Sequence, residues 1–191
     1  EGRAYPYAKD IPHAPLMDPL SRVWRIEETD SPAQLRARLR EGVQAVLGPA
    51  DDALPLYLHL YHLEQEPGVV IEREAFQGRL LDATRRFLAA LAARQPTVIC
   101  LQDLHWADPS TLDLLGFLYQ RRFGGPVSVV ASYRSDDMHR RHPLRSSIAQ
   151  WSRIPGVHRL QLGPLSDTSV RALARSIHAG QLTEAELQAI V

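Results

Sequence analysis

Two short apolar runs separated by one amphipathic segment constrain this chain more than any other feature. Thr97–Leu101 (TVICL) is continuous and rich in β-branched residues, without the alternation of a half-exposed strand. Such a run predicts a strand buried on both faces of a sheet. It stops at Gln102-Asp103, and a Leu-His-Trp-Ala-Asp-Pro turn follows. Asp108-Pro109 then pairs a capping residue with proline at the first helical position, and Leu112, Leu115 and Leu118 repeat at helical spacing behind it. Gly124-Gly125-Pro126 ends that helix, and Val127–Ala131 reads as a second buried strand. Strand, helix and strand within about 35 residues make a βαβ unit, whose crossover forces the two strands to run parallel. The expected fold class is therefore α/β, a parallel sheet with flanking helices.

The rest of the chain fits around that unit. Residues 1–15 read as a strand end and a loop, and Leu16, Leu20, Val23 and Trp24 predict a short helix. Ser31-Pro32 caps another, continued by Leu35, Leu39, Val43 and Val46. The stretch LPLYLHLYHL (54–63) carries two periods at once: its leucines alternate as in a strand, while Tyr57, Leu60, Tyr61 and Glu64 suit a helix, and we prefer the helix. Phe76, Leu80, Leu81, Thr84, Phe87, Leu88 and Leu91 predict one apolar face of a long helix that Pro96 stops. A third strand is expected at Val157–Leu162. Beyond it lies a helix capped by Ser166, carrying Val170, Leu173, Ala174 and Ile177 and ended by Gly180. Thr183 and Glu186 form a capping box for a last helix, with Leu182 and Leu187 as its staple pair. That helix has eight residues or so before the sequence stops, so the C-terminus reads as cut.

Composition narrows the function classes. The formal net charge of the 191 residues is zero, so no overall basic field points to nucleic acid. No run of about 18 apolar residues predicts a membrane span, and Glu1-Gly2-Arg3 does not open a signal peptide. Cys100, the single cysteine, lies inside an apolar run, which excludes an internal disulfide and suggests a reducing cytoplasm. Lys9 is the only lysine, so none can serve a phosphate loop at any later position.

Among side chains that could carry chemistry, the strand end at Gln102-Asp103 stands out. Ligands of open parallel sheets sit beyond the carboxyl ends of the strands, where a carboxylate can hold Mg²⁺ or orient water beside a phosphate. The bland reading is that Asp103 caps a turn. His59 with His62, and His139 with His142, are each three apart, but neither pair has a third ligand at zinc-site spacing, so no metal site is expected. The segment HRRHPLR (139–145) places Arg140, Arg141 and Arg145 near a helix whose Leu144, Ile148 and Trp151 face inward. It reads as a solvated helix face, with a phosphate-facing arginine for a neighbouring subunit as the alternative. No serine nucleophile elbow is visible.

Longer segments carry a resemblance. Val98-Ile99-Cys100-Leu101, then Gln102-Asp103, then Leu104-His105-Trp106-Ala107-Asp108-Pro109 is similar to an acidic strand written as four apolar residues, two acids and Leu-His/Gln-Trp-Ala-Asp-Pro. IPHAPLMDPL (11–20), VVASYRSDD (129–137) and LQLGPLSDTSVRAL (160–173) follow the order of three further segments of the same family. On these residues the chain resembles the AAA+-like ATPase module of STAND-type signalling NTPases, found in large LuxR-type transcriptional regulators and beside bacterial cyclases and kinases. The resemblance implies a P-loop NTPase core and the start of a small helical lid. It divides the chain into a partial nucleotide-binding core, residues 1–163, and a truncated lid, residues 164–191. Asp103 would orient the water attacking the γ-phosphate, Ser132 and Arg134 would read that phosphate, and Pro164 would shape the lid near the adenine. Arginine suits such a role because its planar fork binds phosphate oxygens bidentately and keeps its charge. His105 and Trp106 would hold the turn and pack.

Two departures qualify the resemblance. Gln102 stands where the family has its first acid, the residue that holds Mg²⁺ through its water shell, and an amide is a poorer ligand for a hard cation. The pattern G-x-x-x-x-G-K-[ST] does not occur in these residues. The expectation is an ATPase core trimmed at both ends, with a divergent member that lacks the loop as the alternative. Its parent is a slowly hydrolysing signalling switch in a larger bacterial regulator, using ATP and Mg²⁺. The present residues are expected to be inactive and to hold nucleotide weakly or not at all. The expected partners are neighbouring regulatory or output domains of the same chain and, with nucleotide, further copies of it; nucleic acid and membrane are not expected. The competing expectation is a non-catalytic ATPase-like scaffold for protein–protein contacts.

Overall fold

In the computed structural model, residues 1–8, 11–65, 71–178, 183, 186 and 188 are described. They divide into two compact units, Glu1–Val157 and His158–Val191.

The first unit is built on a three-stranded, all-parallel sheet in the order β1 (Gly2–Arg3), β2 (Thr97–Gln102) and β3 (Val127–Ala131). Arg3 lies opposite Gln102 and Leu101 opposite Ala131, so the three strands end level with one another. The ladder runs on past the strands: the Ala4 N–H donates to Gln102 O at 2.9 Å and the Ser132 N–H to Leu101 O at 2.9 Å. Side-by-side strand ends follow directly from the parallel pairing that the βαβ reading requires.

Among the described residues, four α-helices come between β1 and β2: α1 (Ala14–Val23), α2 (Pro32–Leu47), α3 (Leu54–Leu60) and α4 (Arg73–Arg94). The Ser31 hydroxyl accepts the Gln34 N–H while the Gln34 side chain receives the Ser31 N–H, a complete capping box that fixes where α2 starts. The ambiguous leucine stretch is helix α3. Leu54, Leu56, Tyr57 and Leu58 are all buried there, so its alternation reflects a helix covered on several sides. Between β2 and β3 runs α5 (Pro109–Arg121), and α6 (Pro143–Trp151) follows β3.

The apolar residues form two clusters with α4 between them. Leu88 joins Ile99, Leu101, Leu104, Leu115, Leu144 and their neighbours around the sheet, α5 and α6. Leu80, Ala83 and Phe87 of the same helix join a second cluster with α1, α2 and α3. The single apolar face expected of α4 is thus two faces, as befits a helix serving two cores. Trp24 centres the second cluster, with ring contacts to Tyr57 at 4.9 Å and Phe87 at 5.4 Å. Gly42 makes room for it, since a Cβ there would stand 2.1 Å from Trp24 Cδ1. Gly2 does the same where α1 crosses β1, its Cβ position lying 2.0 Å from Pro15 O.

Two strand expectations need correction. β2 and β3 are not buried on both faces: Val98 is 62% and Val130 59% exposed, while Ile99 and Leu101 point into the core. Nor is Val157–Leu162 a strand; residues 157–162 have no regular structure, and Leu160 and Leu162 are almost fully exposed. An extended segment becomes a strand only when a neighbour takes its backbone hydrogen bonds, and none does so among the described residues.

The second unit holds α7 (Asp167–Ile177), capped by the Ser166 hydroxyl as expected. Gly180, Leu182 and Leu187 lie outside the described residues, whereas the Thr183 and Glu186 capping contacts are present. Among the described residues no helix is long and apolar enough to cross a membrane.

Candidate functional site

The level ends of the three strands bring together side chains far apart in sequence. Arg3 ends β1, Gln102 and Asp103 leave β2, and Ser132 and Arg134 leave β3. Asp103 turns the chain sharply, with φ 58° and ψ 39°, a left-handed conformation that aspartate tolerates better than most residues. This turn drops Leu104 and His105 into the interior, 1% and 4% exposed, and leaves the Asp103 carboxylate half-buried. The Leu104 N–H donates to Ser132 O at 2.9 Å and the Asp103 N–H to Ser132 Oγ at 3.3 Å. Ser132 therefore holds the backbone of the acidic turn with both its carbonyl and its hydroxyl.

Asp103 Oδ2 accepts a hydrogen bond from Arg3 Nε at 2.8 Å. The Arg3 guanidinium also lies over the Tyr5 ring, 5.7 Å from its centroid, and Tyr5 stacks on Tyr7. Arg3 is the residue that sequence reasoning missed. It pairs with a residue 100 positions away, and only the register of a two-residue strand could have revealed it. Gln102 donates its amide to the Glu1 carboxylate. Arg134 is exposed, and among the described residues its guanidinium enters no ion pair; its backbone N–H donates to His105 Nδ1 at 3.4 Å.

His105 packs beneath this group, with Nε2 3.2 Å from Asp137 Oδ2 and its carbonyl 3.0 Å from His142 Nε2. Burial pushes its imidazole below the ordinary value of 6.5, against the pull of Asp103 and Asp137. Asp108, the second acid of the turn, is spent on structure. It caps α5 by accepting the Thr111 N–H at 3.0 Å and takes the His13 N–H at 3.1 Å, tying the start of α1 to the start of α5. His13 is itself buried, which lowers its pKa, and its Nδ1 has no partner among the described residues.

The first unit therefore assembles Asp103, Gln102, Ser132 and Arg134 at one edge. Pro164 belongs to the second unit, in an exposed stretch without regular structure ahead of α7. The two histidine pairs are occupied otherwise. His59 stacks edge-on against Phe76, and the Nδ1 atoms of His139 and His142 accept backbone N–H groups. A cleft of about 370 Å³ between α4 and α5 is lined by Gly78, Asp82, Arg85, Phe117 and Arg121, and contains none of the strand-end residues.

Residues 1–130 match the family model of the AAA ATPase domain. The chain belongs to that family. No curated protein and no solved structure matches it. The matched range includes Arg3, Gln102 and Asp103 and stops within β3, ahead of Ser132 and Arg134. Membership in the AAA ATPase family implies nucleotide binding and the use of Mg²⁺. The residues at the strand ends fit the two unequally. Ser132 and Arg134 carry a hydroxyl and a guanidinium that enters no ion pair among the described residues, groups whose chemistry fits a phosphate. A magnesium ion would find one carboxylate with an oxygen already held by Arg3, and an amide already held by Glu1. Among the described residues no three metal-ligating side chains cluster. This donor set does not fit a resident Mg²⁺ by itself.

Proposed function

We propose that this chain is part of a STAND-type signalling ATPase, a nucleotide-responsive switch with slow hydrolysis in a larger bacterial regulator of the cytoplasm. The observation that carries this reading is the convergence of Asp103, Ser132 and Arg134 at adjacent strand ends, in a chain of the AAA ATPase family. Arg134 and Ser132 would read the terminal phosphate, and Asp103 would orient a water toward it. Residues 164–191 would begin a helical lid, with Pro164 beside the adenine. Neighbouring domains of the same chain would sense whether the lid is closed, and nucleotide would favour association between copies. A switch of this kind needs different affinities in its two states more than it needs fast turnover.

A second reading is an ATPase-like scaffold that makes protein contacts without turnover. Gln102 in place of an acid, and the ion pair that occupies Asp103, favour it. A titration with a fluorescent ATP analogue, with and without Mg²⁺, separates the two. The switch reading expects weak saturable binding by these residues that Arg134→Ala abolishes and that Mg²⁺ changes little. Saturable binding that is indifferent to Arg134 favours the scaffold.

A further inference from the structure

We infer that His105 is a positioning residue for Arg134, acting through one tautomer of its imidazole. A neutral imidazole has one donor and one acceptor nitrogen. Nδ1 faces the Arg134 N–H, so it must carry the lone pair. Nε2 faces the Asp137 carboxylate, which only accepts, so it must carry the proton. A single tautomer meets both demands, and the ring itself is buried, with 4% of the residue exposed.

The position of this contact gives it a purpose. The parallel ladder between β2 and β3 closes with Ser132 N–H to Leu101 O and Leu104 N–H to Ser132 O. Two residues further on, the N–H of Arg134 is received by a side chain from the facing turn. His105 thus extends the ladder by one rung at the point where the strand pairing has ended. It fixes the backbone from which the Arg134 guanidinium projects. Its own carbonyl is held by His142, whose other ring nitrogen caps α6 by accepting the Leu144 N–H. The acidic turn, the segment after β3 and the head of α6 are therefore joined through one ring.

Protonation would break this arrangement. A proton on Nδ1 places a donor against the Arg134 N–H, while the contact with Asp137 gains charge. The groups that face His105 are Asp103 on its own turn, Asp137 and Arg134 from the segment after β3, and His142 from α6, with Trp106 packed beside the ring. Burial holds the imidazole neutral at pH 7, so the rung is intact there and opens only in acid.

The consequence for nucleotide rests on the proposed role of Arg134, but the tautomer and the rung do not. The test uses the ¹⁵N-labelled chain. Imidazole shifts at pH 7.5 should show His105 protonated on Nε2. The Arg134 amide should titrate with His105, at a midpoint below 6.5. His105→Asn puts an amide oxygen near the place of Nδ1 and should keep the Arg134 amide protected from hydrogen exchange. His105→Gln reaches the place of Nε2 alone and should lower that protection roughly 2- to 10-fold, the worth of one neutral hydrogen bond. An Nδ1-protonated ring, or an Arg134 amide that ignores both pH and the Gln variant, overturns the inference. If the Gln variant does not fold, the tautomer and the pH titration of the unaltered chain decide. Addition of ATP to the same sample separates the two ideas. Saturable ATP binding that leaves the Arg134 amide unmoved counts against the proposed function, and the tautomer result stands.

Discussion

The ion pair between Arg3 and Asp103 has a strength that discriminates between a working acid and a structural brace. Its Nε–Oδ2 distance is 2.8 Å, with side chains 50% and 19% exposed. At that separation two unit charges attract by about 1.5 kcal/mol at the dielectric of water and by about 6 kcal/mol at an effective dielectric of 20. Half-exposure of the guanidinium sets the pair close to the first limit, and ordering a long arginine offsets part of the attraction. The coupling expected from a double-mutant cycle of Arg3→Gln, Asp103→Asn and the combined variant is about 0.5–1 kcal/mol. Urea unfolding at low ionic strength measures it. Repetition in about 1 M NaCl, where the screening length is about 3 Å, should remove most of it. A coupling of about 3 kcal/mol that salt does not touch would show a desolvated brace, and Asp103 would then be closed to any ligand. No coupling at low salt would show that β1 does not hold the acid at all. Either result sinks the reasoning that Asp103 is oriented yet available.

Two further predictions concern the frame that carries the site. Gly42→Ala should lower stability by about 1–3 kcal/mol, because its methyl collides with Trp24 in a filled core; chemical denaturation with tryptophan fluorescence reads both the loss and the displaced ring. His13 and His105 both have pKa values depressed by burial, so the unfolded chain binds protons first as pH falls. Their contribution is complete above the ordinary value of 6.5 and is lost progressively below it. Urea midpoints between pH 8 and pH 5 should fall through that window, less steeply in His13→Gln, and equal slopes in the two proteins would exclude His13 as a source.

Local signals in the sequence were legible wherever one segment determines its own structure. Ser31-Pro32 with Gln34, and Asp108-Pro109 with Thr111, mark helix starts that need no distant partner. The apolar runs at 97–101 and 127–131 are strands for the same reason that they look like strands, since each pairs with the other across one helix. Sequence reasoning failed where the outcome depends on a distant neighbour. Residues 157–162 have strand-forming side chains and no strand beside them, so their propensity goes unexpressed. Val98 and Val130 belong to apolar runs, yet one face of the sheet stays open at both. The AAA ATPase resemblance rested on long motifs and survived these errors, because it depends on the turn after β2 and not on how many strands flank it.

An amide at position 102 changes the balance of charge at the strand ends. Asp103 is answered by Arg3, and Gln102, itself uncharged, holds the Glu1 carboxylate through its amide. Arg134 is then the cation at this edge whose charge no acid among the described residues meets. With an acid at 102, two carboxylates would share one arginine, and a divalent cation would be the natural third party. With glutamine there, Asp103 keeps its ion pair with Arg3 and the amide holds Glu1. The buried imidazole of His105 holds the backbone of that open arginine from below, while Ser132 holds the backbone of the paired acid. The two strand exits are thus braced by different residues for different tasks. The residues present fit a resident metal poorly, and under the proposed function the guanidinium of Arg134 is the group that would meet a phosphate.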